Sequence, residues 1–403
     1  MTGPAVAPAQ PGVLAERYAA QLLSGPPAAT AEQVAGHLLA IQGQDPRGAR
    51  LAIRARTHGL TAADVDRALT TDRTLVIGWL NRGTLHLVRA ADYWPLHQLT
   101  TPQLQAGCDR RLAQEGLSPG EADRGVALIE QALTSDGRLT RAQLAARLSS
   151  AGVRTAGQAM VFLLFLASLR GIIVRGPMAG RQQAYVLARD WIGAPPVLDQ
   201  DAALGWLARR FLAGHAPATD RDLAKWAGLP LRAARRGLAS IGTELAEQDG
   251  GLVSLTGPAA RASPPPGTGG PELPPGPPRP RPGPEQPGLP PARLLGSFDP
   301  VLHGWLSREP VLGRHQAKII LGGLFVPFAL VHGHAVGTWT ITRGRVVLSP
   351  LEDLAAADQQ ALQADAADVE RFLGTAGPPP TDGPPPTDRP PPADRSPDSG
   401  TAR

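Results

Sequence analysis

Two stretches of the chain are dominated by proline and glycine, and they limit how much of its length can form a compact fold. One spans 263–291 and the other spans 376–403, where Pro-Pro-Pro-Thr-Asp occurs twice. Segments of this composition have too few apolar side chains to bury in a core, so we predict an extended linker and a disordered tail. The folded part of the 403 residues is then expected in a larger body at 13–262 and a smaller one at 292–375.

Within the larger body, the same succession of predicted helices and strands occurs twice. Thr140 is predicted to cap a short helix, which is followed by a turn and by a strongly apolar helix that ends at Leu169. Two apolar segments at 172–174 and 184–187 then flank a loop that contains Gly and Arg, which is the pattern of a hairpin. The same order begins again at Thr219 and closes with a second hairpin. Helix, turn, helix and hairpin in this order are typical of a winged helix.

A less regular unit with a similar order precedes these two. Its predicted elements are helices at 31–39, 47–56 and 62–69 and a hairpin formed by 75–79 and 84–88. In the smaller body, apolar segments at 325–331, 335–341 and 345–348, followed by a helical pattern at 358–373, predict a short antiparallel sheet with one helix. Aromatic residues make up only 4% of the chain, so the cores must consist mainly of Leu, Val and Ala, which suits small helical units.

The predicted fold class is therefore α+β and mainly helical, with about three tandem winged helices and a C-terminal β-rich unit. The predicted domain bounds are 13–118, 119–195 and 196–262 for the winged helices, 263–291 for the linker, 292–375 for the C-terminal unit and 376–403 for the tail.

The charge of the chain is compatible with nucleic-acid binding. The formal net charge is +5, the pI is about 10.1, and Lys225 and Lys318 are the only lysines, so arginine supplies most of the positive charge. Guanidinium groups bind phosphate oxygens in a bidentate manner, but a coding bias toward arginine would give the same composition. Arginines at helical spacing form either a DNA-binding face or a solvated one. The predicted DNA contacts are Arg47, Arg50, Arg54, Arg82, Arg175, Arg181, Arg232, Arg235 and Arg236.

Several classes of protein are disfavoured by the sequence. The single cysteine, Cys108, excludes an intramolecular disulfide and a Cys-rich zinc site. His332 and His334 flank a predicted turn without a third ligand at suitable spacing, so neither a metal nor another cofactor is expected. The N-terminal residues do not resemble a signal peptide, and the longest apolar run, 159–169, is shorter than the ~20 residues of a membrane span. These features indicate a soluble, cytoplasmic protein that does not bind membranes.

Three segments carry a resemblance to a known family. They are Leu38-Leu-Ala-Ile-Gln-Gly-Gln-Asp-Pro-Arg-Gly-Ala-Arg50, Arg82-Gly-Thr-Leu-His-Leu-Val88 and Phe298-Asp-Pro-Val-Leu302. In this order they resemble the winged-helix DNA glycosylases typified by AlkZ and YcaQ, and the similarity extends over most of 13–351. The resemblance implies that Gln42 and Gln44 are catalytic. YcaQ-type members have Asp at the second position, whereas this chain keeps Gln, as AlkZ-type members do.

The chemistry of glutamine limits the substrates that such a motif can process. A glutamine amide does not titrate usefully and cannot be a general base, but its carbonyl oxygen accepts a hydrogen bond from water and faces a cationic sugar favourably. This help suffices only for an activated leaving group. An N7-alkylated purine is cationic and departs as a neutral base. We therefore expect a monofunctional glycosylase that acts on such purines in double-stranded DNA, including bulky adducts and interstrand crosslinks, in DNA repair or self-resistance.

Alternatives remain open for most of these residues. Gln42 and Gln44 could instead cap a helix and face solvent, and Arg50 or Arg54 could pair with Asp64 or Asp66. Thr84, His86 and Asp299 are candidate active-site support, although a strand histidine is more often structural and an Asp before Pro often caps a turn.

Two other functions also fit the predicted fold. The alternative to an enzyme is a non-catalytic winged-helix DNA-binding protein, either a transcription regulator or a DNA-protecting factor. In a third hypothesis, the wings of the winged helices contact other proteins and no nucleic acid is involved. The sequence shows no heptad pattern for a dimerisation helix, so a monomer is expected.

Overall fold

The computed structural model describes residues 11–180, 182–257 and 288–375. Most of the predicted linker at 263–291, the whole tail at 376–403 and Arg181 lie outside the described residues. Within the described part, no helix is both long enough and apolar enough to cross a membrane.

Short capped helices and a hairpin form the first hundred residues. The elements are α1 (Pro11–Ala20), α2 (Ala31–Leu38), β1 (Ile41–Gln42), α3 (Pro46–Arg54), α4 (Ala62–Thr70), β2 (Leu75–Trp79), β3 (Leu85–Arg89) and α5 (Ala90–Thr100). Asp45 accepts a hydrogen bond from the Arg47 amide, and Pro46 occupies the first turn, so α3 begins directly after the second glutamine. Thr61 and Asp64 form a capping box at the start of α4.

The next hundred residues repeat the order of helices followed by a hairpin. They form α6 (Gln105–Gln114), α7 (Pro119–Asp136), β4 (Leu139–Thr140), α8 (Arg141–Ser150), α9 (Ala159–Leu169), β5 (Ile173–Ala179), β6 (Gln182–Leu187) and α10 (Ala188–Ile192). Ile77 on β2 pairs with Arg175 on β5, which joins the two hairpins into one antiparallel sheet. The strand order of this six-stranded sheet is β1-β3-β2-β5-β6-β4.

A third group of helices and a separate hairpin follow. They are α11 (Gln200–His215), α12 (Asp220–Ala227), α13 (Leu231–Ser240), β7 (Leu245–Gln248) and β8 (Leu252–Leu255). Thr219 and Asp222 form the capping box of α12, and Gly228 ends this helix in the left-handed region. Helix α11 is buried along most of its length, and its Arg210 forms an ion pair with the fully buried Asp92 of α5.

The C-terminal segment forms a four-stranded antiparallel sheet with the order β14-β13-β12-β9. Its elements are β9 (Arg293–Leu295), α14 (Glu309–Leu312), α15 (Gln316–Ile319), β10 (Ile320–Leu321), β11 (Leu324–Phe325), β12 (Phe328–Val331), β13 (His334–Thr342), β14 (Arg345–Pro350) and α16 (Ala356–Leu373). Strands β10 and β11 form a small hairpin of their own, on which Leu321 and Leu324 are exposed. The mixed fold with small antiparallel sheets therefore agrees with the prediction.

The C-terminal segment shares the two hydrophobic clusters that lie on opposite faces of the six-stranded sheet. Side chains alternate along strands, so Ile77 and Leu87 enter one hydrophobic cluster, while Val76 enters another on the opposite face. Leu294 belongs to the first cluster and Leu295 to the second. The two bodies expected from the sequence thus share their hydrophobic interior.

Candidate active site

Gln42 lies at the end of the short edge strand β1, directly opposite His86 on β3. Its neighbour Ile41 enters the hydrophobic core, so Gln42 and His86 point to the other face of the sheet. The next residue in this cross-strand row is Gly78 on β2. A β-carbon at this position would come within 2.6 Å of the Tyr93 ring, so the absence of a side chain at Gly78 allows the Tyr93 ring to pack over this strand.

Gln42 is largely buried, with 8% of the residue exposed, yet no side chain or backbone group within the described residues bonds to its side-chain amide. Neither atom of the amide is among the fully buried atoms that lack a partner, so the amide is reached by solvent. This arrangement leaves both the carbonyl oxygen and the NH₂ group of Gln42 able to bind a ligand.

Gln44 has a different environment. It is exposed, and its side-chain oxygen accepts a hydrogen bond from the backbone N–H of Leu85 at 2.8 Å. The preceding Gly43 donates to the Leu85 carbonyl at 2.7 Å. Gln44 therefore extends the pairing between β1 and β3 beyond the end of the strand, and its NH₂ group is the part without a hydrogen-bond partner among the described residues.

His86 is buried and neutral. Its Nδ1 lies 3.0 Å from the Thr84 carbonyl, which can only accept, so Nδ1 carries the proton and Nε2 presents a lone pair. Burial, assisted by the charge of Arg82, lowers the pKa of His86 to about 3. Thr84 donates its hydroxyl proton to the Asn81 carbonyl at 3.1 Å, which holds the turn before β3. At neutral pH His86 can accept a hydrogen bond but cannot serve as a cationic acid.

Asp299 is held in a buried ion pair. Its two oxygens accept from the Arg56 guanidinium at 2.8 and 2.9 Å, and one of them also accepts from the Val301 amide at 3.0 Å. Neither side chain of the pair is exposed. Of the two roles expected for Asp299, the structure therefore shows the turn cap at Pro300, and the buried pair with Arg56 leaves this carboxylate no free charge for active-site support.

The arginines that follow the glutamines differ in their surroundings. Arg54 is 3% exposed and binds the carboxylates of Asp365 and Asp368 and the Leu294 carbonyl. The expectation that Arg54 contacts DNA phosphates is wrong, because its guanidinium binds carboxylates and a carbonyl in the interior of the protein. Arg50 pairs with Asp66, one of the partners weighed from the sequence. Arg47 is exposed, and no described residue bonds to its guanidinium.

The remaining predicted arginines lie on the hairpins and on α13. Burial lowers the pKa of Arg175, whose guanidinium lies 5.9 Å from the centre of the Trp79 ring. On α13, Arg235 pairs with Asp220 and Arg236 with Asp201, each at 2.7 Å, while Arg232 is exposed without an ion pair in the described chain. These α13 side chains are accessible to a macromolecular ligand.

Arg82 lies in the turn between β2 and β3 with a positive φ of 58°. Its guanidinium donates to the carbonyl of Trp226 at the end of α12. Gly228, which follows α12, has no room for a β-carbon because the Arg82 backbone lies 3.0 Å from that position. The turn that leads to His86 is thus packed tightly against the third group of helices.

Comparison with known proteins identifies the family. A family model described as DNA glycosylase AlkZ-like matches residues 35–372, which include both glutamines, the β2–β3 hairpin and Asp299. The chain belongs to the AlkZ-like DNA glycosylases. The predicted resemblance is confirmed, and DNA glycosylases act on DNA.

A sequence comparison and a structure comparison agree with this assignment. The chain is 26% identical over 387 residues to an interstrand DNA cross-link repair glycosylase of Streptomyces sahachiroi, with 90% of this chain and 96% of the relative covered. Its structure is similar to that of Streptomyces sahachiroi DNA glycosylase AlkZ, with a TM-score of 0.71 and 25% identity, covering 92% of this chain and 98% of the other.

Sequence reasoning missed several charged residues close to this AlkZ-like site. Lys225, His303 and Arg308 come from distant parts of the chain, yet the charges of Lys225, Arg308 and Arg82 all lower the pKa of His303. No local motif marks them, because only the tertiary packing brings them together. Among the described residues, no group of three His, Cys, Asp or Glu side chains could hold a metal ion.

Proposed function

We propose that the protein hydrolyses the N-glycosidic bond of N7-alkylated, cationic purines in double-stranded DNA, with bulky adducts and interstrand crosslinks among its substrates. The observation that carries this proposal is the unpartnered amide of Gln42, held beside the neutral His86 on one face of the sheet. Family membership supports the type of enzyme, and the name of the Streptomyces sahachiroi relative supports crosslinks as substrates.

The reaction requires little acid or base catalysis when the purine is cationic. The electron pair of the bond from C1′ to N9 moves to the base, which leaves as a neutral alkylpurine and leaves an oxocarbenium-like sugar. A water oxygen then forms a bond to C1′ and releases its proton to solvent. The carbonyl of Gln42 accepts a hydrogen bond from this water and stabilises the positive sugar, and the free NH₂ of Gln44 donates to a sugar or phosphate oxygen.

A cationic leaving group also agrees with the state of His86. Because the pKa of His86 is lowered to about 3, this side chain does not protonate the departing base at neutral pH. Asp299 is neutralised by Arg56 and adds no free charge. A normal, uncharged purine would need an acid that these residues do not supply, so excision should be confined to purines that are already charged.

We further propose that the enzyme is monofunctional and acts as a monomer. A lyase step needs a free amine that attacks C1′, and the chain has only two lysines, Lys225 and Lys318, neither of which lies in the cross-strand row of Gln42 and His86. The three helix-and-hairpin groups act as tandem winged helices, and the exposed arginines of α13 bind phosphates. Reduction with borohydride during the reaction should trap no covalent complex with DNA.

The decisive experiment is incubation with duplex DNA that contains N7-methylguanine, followed by alkali to cleave abasic sites, and a parallel incubation with an N7-to-N7 crosslinked duplex. We expect strand cleavage with the first substrate, strand separation with the second and no cleavage of undamaged DNA. Gln363→Ala, which changes an exposed glutamine of α16, is the matched control for variants of the motif.

The exposed arginines of α13 would serve a non-catalytic DNA-protecting protein equally well. Salt-dependent binding to DNA without any excision of N7-methylguanine would establish this second function in place of the enzyme.

A further inference from the structure

Three cations from distant parts of the chain converge next to the candidate active site. Arg82 lies in the β2–β3 turn and donates to the carbonyl of Trp226, the neighbour of Lys225 on α12. The Lys225 amine donates to the carbonyl of Leu306, two residues before Arg308. We refer to Arg82, Lys225 and Arg308 as the cation cluster.

The side chain of Arg308 is fixed by two further contacts. Its Nε donates to the Leu302 carbonyl at 2.6 Å, and its guanidinium lies 5.2 Å from the centre of the Phe325 ring. Its two terminal NH₂ groups have no hydrogen-bond partner among the described residues. Arg308 is therefore oriented before any ligand arrives, and it retains the paired donors with which arginine binds a phosphate.

The positive charges of the cation cluster are not compensated by ion pairs. None of the three residues pairs with a carboxylate in the described chain, whereas the buried arginines Arg54 and Arg56 both do. Burial and then the charge of Arg308 lower the pKa of Arg82. Burial and then the charge of Arg308 likewise lower the pKa of Lys225, Asp222 opposes this, and Arg82 lowers it slightly further. The three cations thus repel one another in the free protein.

A buried and unpartnered nitrogen lies beside these cations. Nε2 of His303 is fully buried and has no hydrogen-bond partner within the described residues. The His303 ring packs against Phe298 and Phe325, with 4.8 Å between the centres of His303 and Phe325. Burial and the charges of Arg82 and Arg308 hold the pKa of His303 well below its usual range. Arg82 lies in the turn that leads directly into β3, and this links the cluster to the cross-strand row of His86 and Gln42.

One bound anion would offset the repulsion among the three cations and accept hydrogen bonds from the donors that have no partner in the described chain. Arginine binds phosphate through paired N–H groups, and lysine binds it as a point charge. The DNA backbone supplies one such monoanion per nucleotide, and a DNA strand that presents a nucleotide to Gln42 must pass close to it.

We propose that Arg82, Lys225 and Arg308 together bind one phosphodiester group that flanks the nucleotide whose glycosidic bond faces Gln42. The identity of this nucleotide rests on the proposed function. Since the three cations come from the first hairpin, α12 and the C-terminal segment, the phosphate binds fully only when these parts are docked. They are positioning residues, because they hold the strand and do not touch the bond that breaks.

The test combines protein variants with neutral DNA linkages. Arg308→Gln and Lys225→Gln each remove one charge, and Arg308→Lys restores the charge without the paired donors. Arg343→Gln removes an exposed, unpaired arginine from the β13–β14 turn and serves as the control. The probe is a duplex with a stable abasic-site analogue, in which each flanking phosphate is replaced in turn by an uncharged methylphosphonate. Dissociation constants are measured between about 50 and 200 mM salt, because affinity that comes from phosphate contacts falls steeply over this range.

We expect Arg308→Gln and Lys225→Gln each to lower the slope of log K against log salt by about one and to weaken binding about tenfold. One methylphosphonate should weaken the wild type but have little further effect on either variant, since the contact is already lost. Arg308→Lys should recover part of the affinity, and Arg343→Gln should behave as the wild type.

Two results would overturn the phosphate site. In one, the affinity losses from the variant and from the methylphosphonate add independently at every flanking linkage. In the other, both variants bind the probe as tightly as the control. These binding measurements do not depend on excision. If variant and methylphosphonate are coupled but no base is excised, the phosphate site holds and the proposed reaction fails. If bases are excised but the affinity losses are purely additive, the reaction holds and the phosphate site fails.

Discussion

At the scale of single residues, the two glutamines of the motif have unequal surroundings. The largely buried Gln42 has no hydrogen bond to its amide within the described residues, while the Gln44 oxygen is occupied by the Leu85 amide. From the sequence alone the two glutamines are equivalent. Because their surroundings differ, we expect Gln42 to have the more direct part in the proposed reaction, and Gln44 also fixes the turn from β1 into α3.

The first prediction follows from this difference. Gln42→Ala should lower the single-turnover rate of N7-methylguanine excision about a hundred- to a thousandfold, because one preorganised contact to the transition state is lost. Its melting temperature should stay close to that of the wild type. Gln44→Ala should lower the rate and also destabilise the fold by about 1 kcal/mol, since the Leu85 amide loses its acceptor. Gln42→Ala excising at the rate of Gln363→Ala would contradict the assignment.

The second prediction concerns His86 and the stability of the fold at low pH. The pKa of His86 falls from 6.5 to about 3 in the folded protein, so below pH 6.5 the unfolded chain binds a proton that the folded one does not. The stability due to this group is complete above pH 6.5 and is lost as the pH falls toward 3. At pH 5 the loss is about 2 kcal/mol.

Urea unfolding of the wild type and of His86→Gln at pH 7.5 and pH 5 measures this effect. The variant should lose about 2 kcal/mol less stability than the wild type between the two values. His215 is buried with a similar shift and remains in both proteins, so its contribution cancels in the comparison. Equal losses in both proteins would show that His86 is protonated in the folded state.

At the scale of elements, the sequence predicted structure wherever the signals were local. The helices predicted at 31–39, 47–56 and 62–69 and the hairpin predicted at 75–79 and 84–88 agree with the structure to within two residues, and Thr140 caps its helix as predicted. Caps and alternating apolar residues act over a few positions and can be recognised without tertiary contacts.

Elements that are buried on several sides were missed. Helices α5 and α11 contain buried residues around most of their circumference, so they lack the amphipathic period that marks a surface helix, and α5 also contains Pro95. Strand β9 has only three residues and pairs with β12 across a long stretch of chain. The roles of Arg54 and Asp299 were likewise hidden, because their partners Asp365 and Arg56 are far away in sequence.

The third prediction concerns the contact between α3 and α16. Asp365 is buried with Arg54, which also binds the partly exposed Asp368 at 3.2 Å. Asp365→Ala leaves a buried guanidinium without its main partner and should destabilise the fold by about 3–5 kcal/mol. The matched Asp368→Ala should cost less than about 1 kcal/mol, because that carboxylate is 38% exposed. Chemical unfolding curves measure both. Equal effects would show that α16 is not anchored through the buried pair.

At the scale of the whole molecule, the reacting face depends on parts of the chain that are far apart in sequence. The C-terminal segment contributes Leu294 and Leu295 to cores on both faces of the six-stranded sheet, and its Asp299 is paired with Arg56 just after α3. Gly48 of α3 has no room for a side chain, because a β-carbon would lie 2.3 Å from the Ser297 carbonyl oxygen. The helix that begins directly after the motif is thereby held against the C-terminal segment, and the orientation of the glutamines depends on this docking.

The last prediction concerns how the molecule as a whole binds DNA. Exposed arginines on α13 and elsewhere should contact several phosphates at once, so affinity for undamaged duplex should fall steeply as salt rises. Arg232 has no ion pair within the described chain, so Arg232→Gln should weaken binding on all sequences alike and reduce the salt slope by about one. Arg235 must first leave Asp220, so Arg235→Gln should have a smaller effect. Fluorescence anisotropy between about 50 and 200 mM salt, where phosphate contacts lose affinity steeply, measures both slopes, with Arg343→Gln as the control. A flat salt dependence of the wild type would argue against phosphate contacts, and an unchanged slope for Arg232→Gln would remove α13 from the DNA-binding surface.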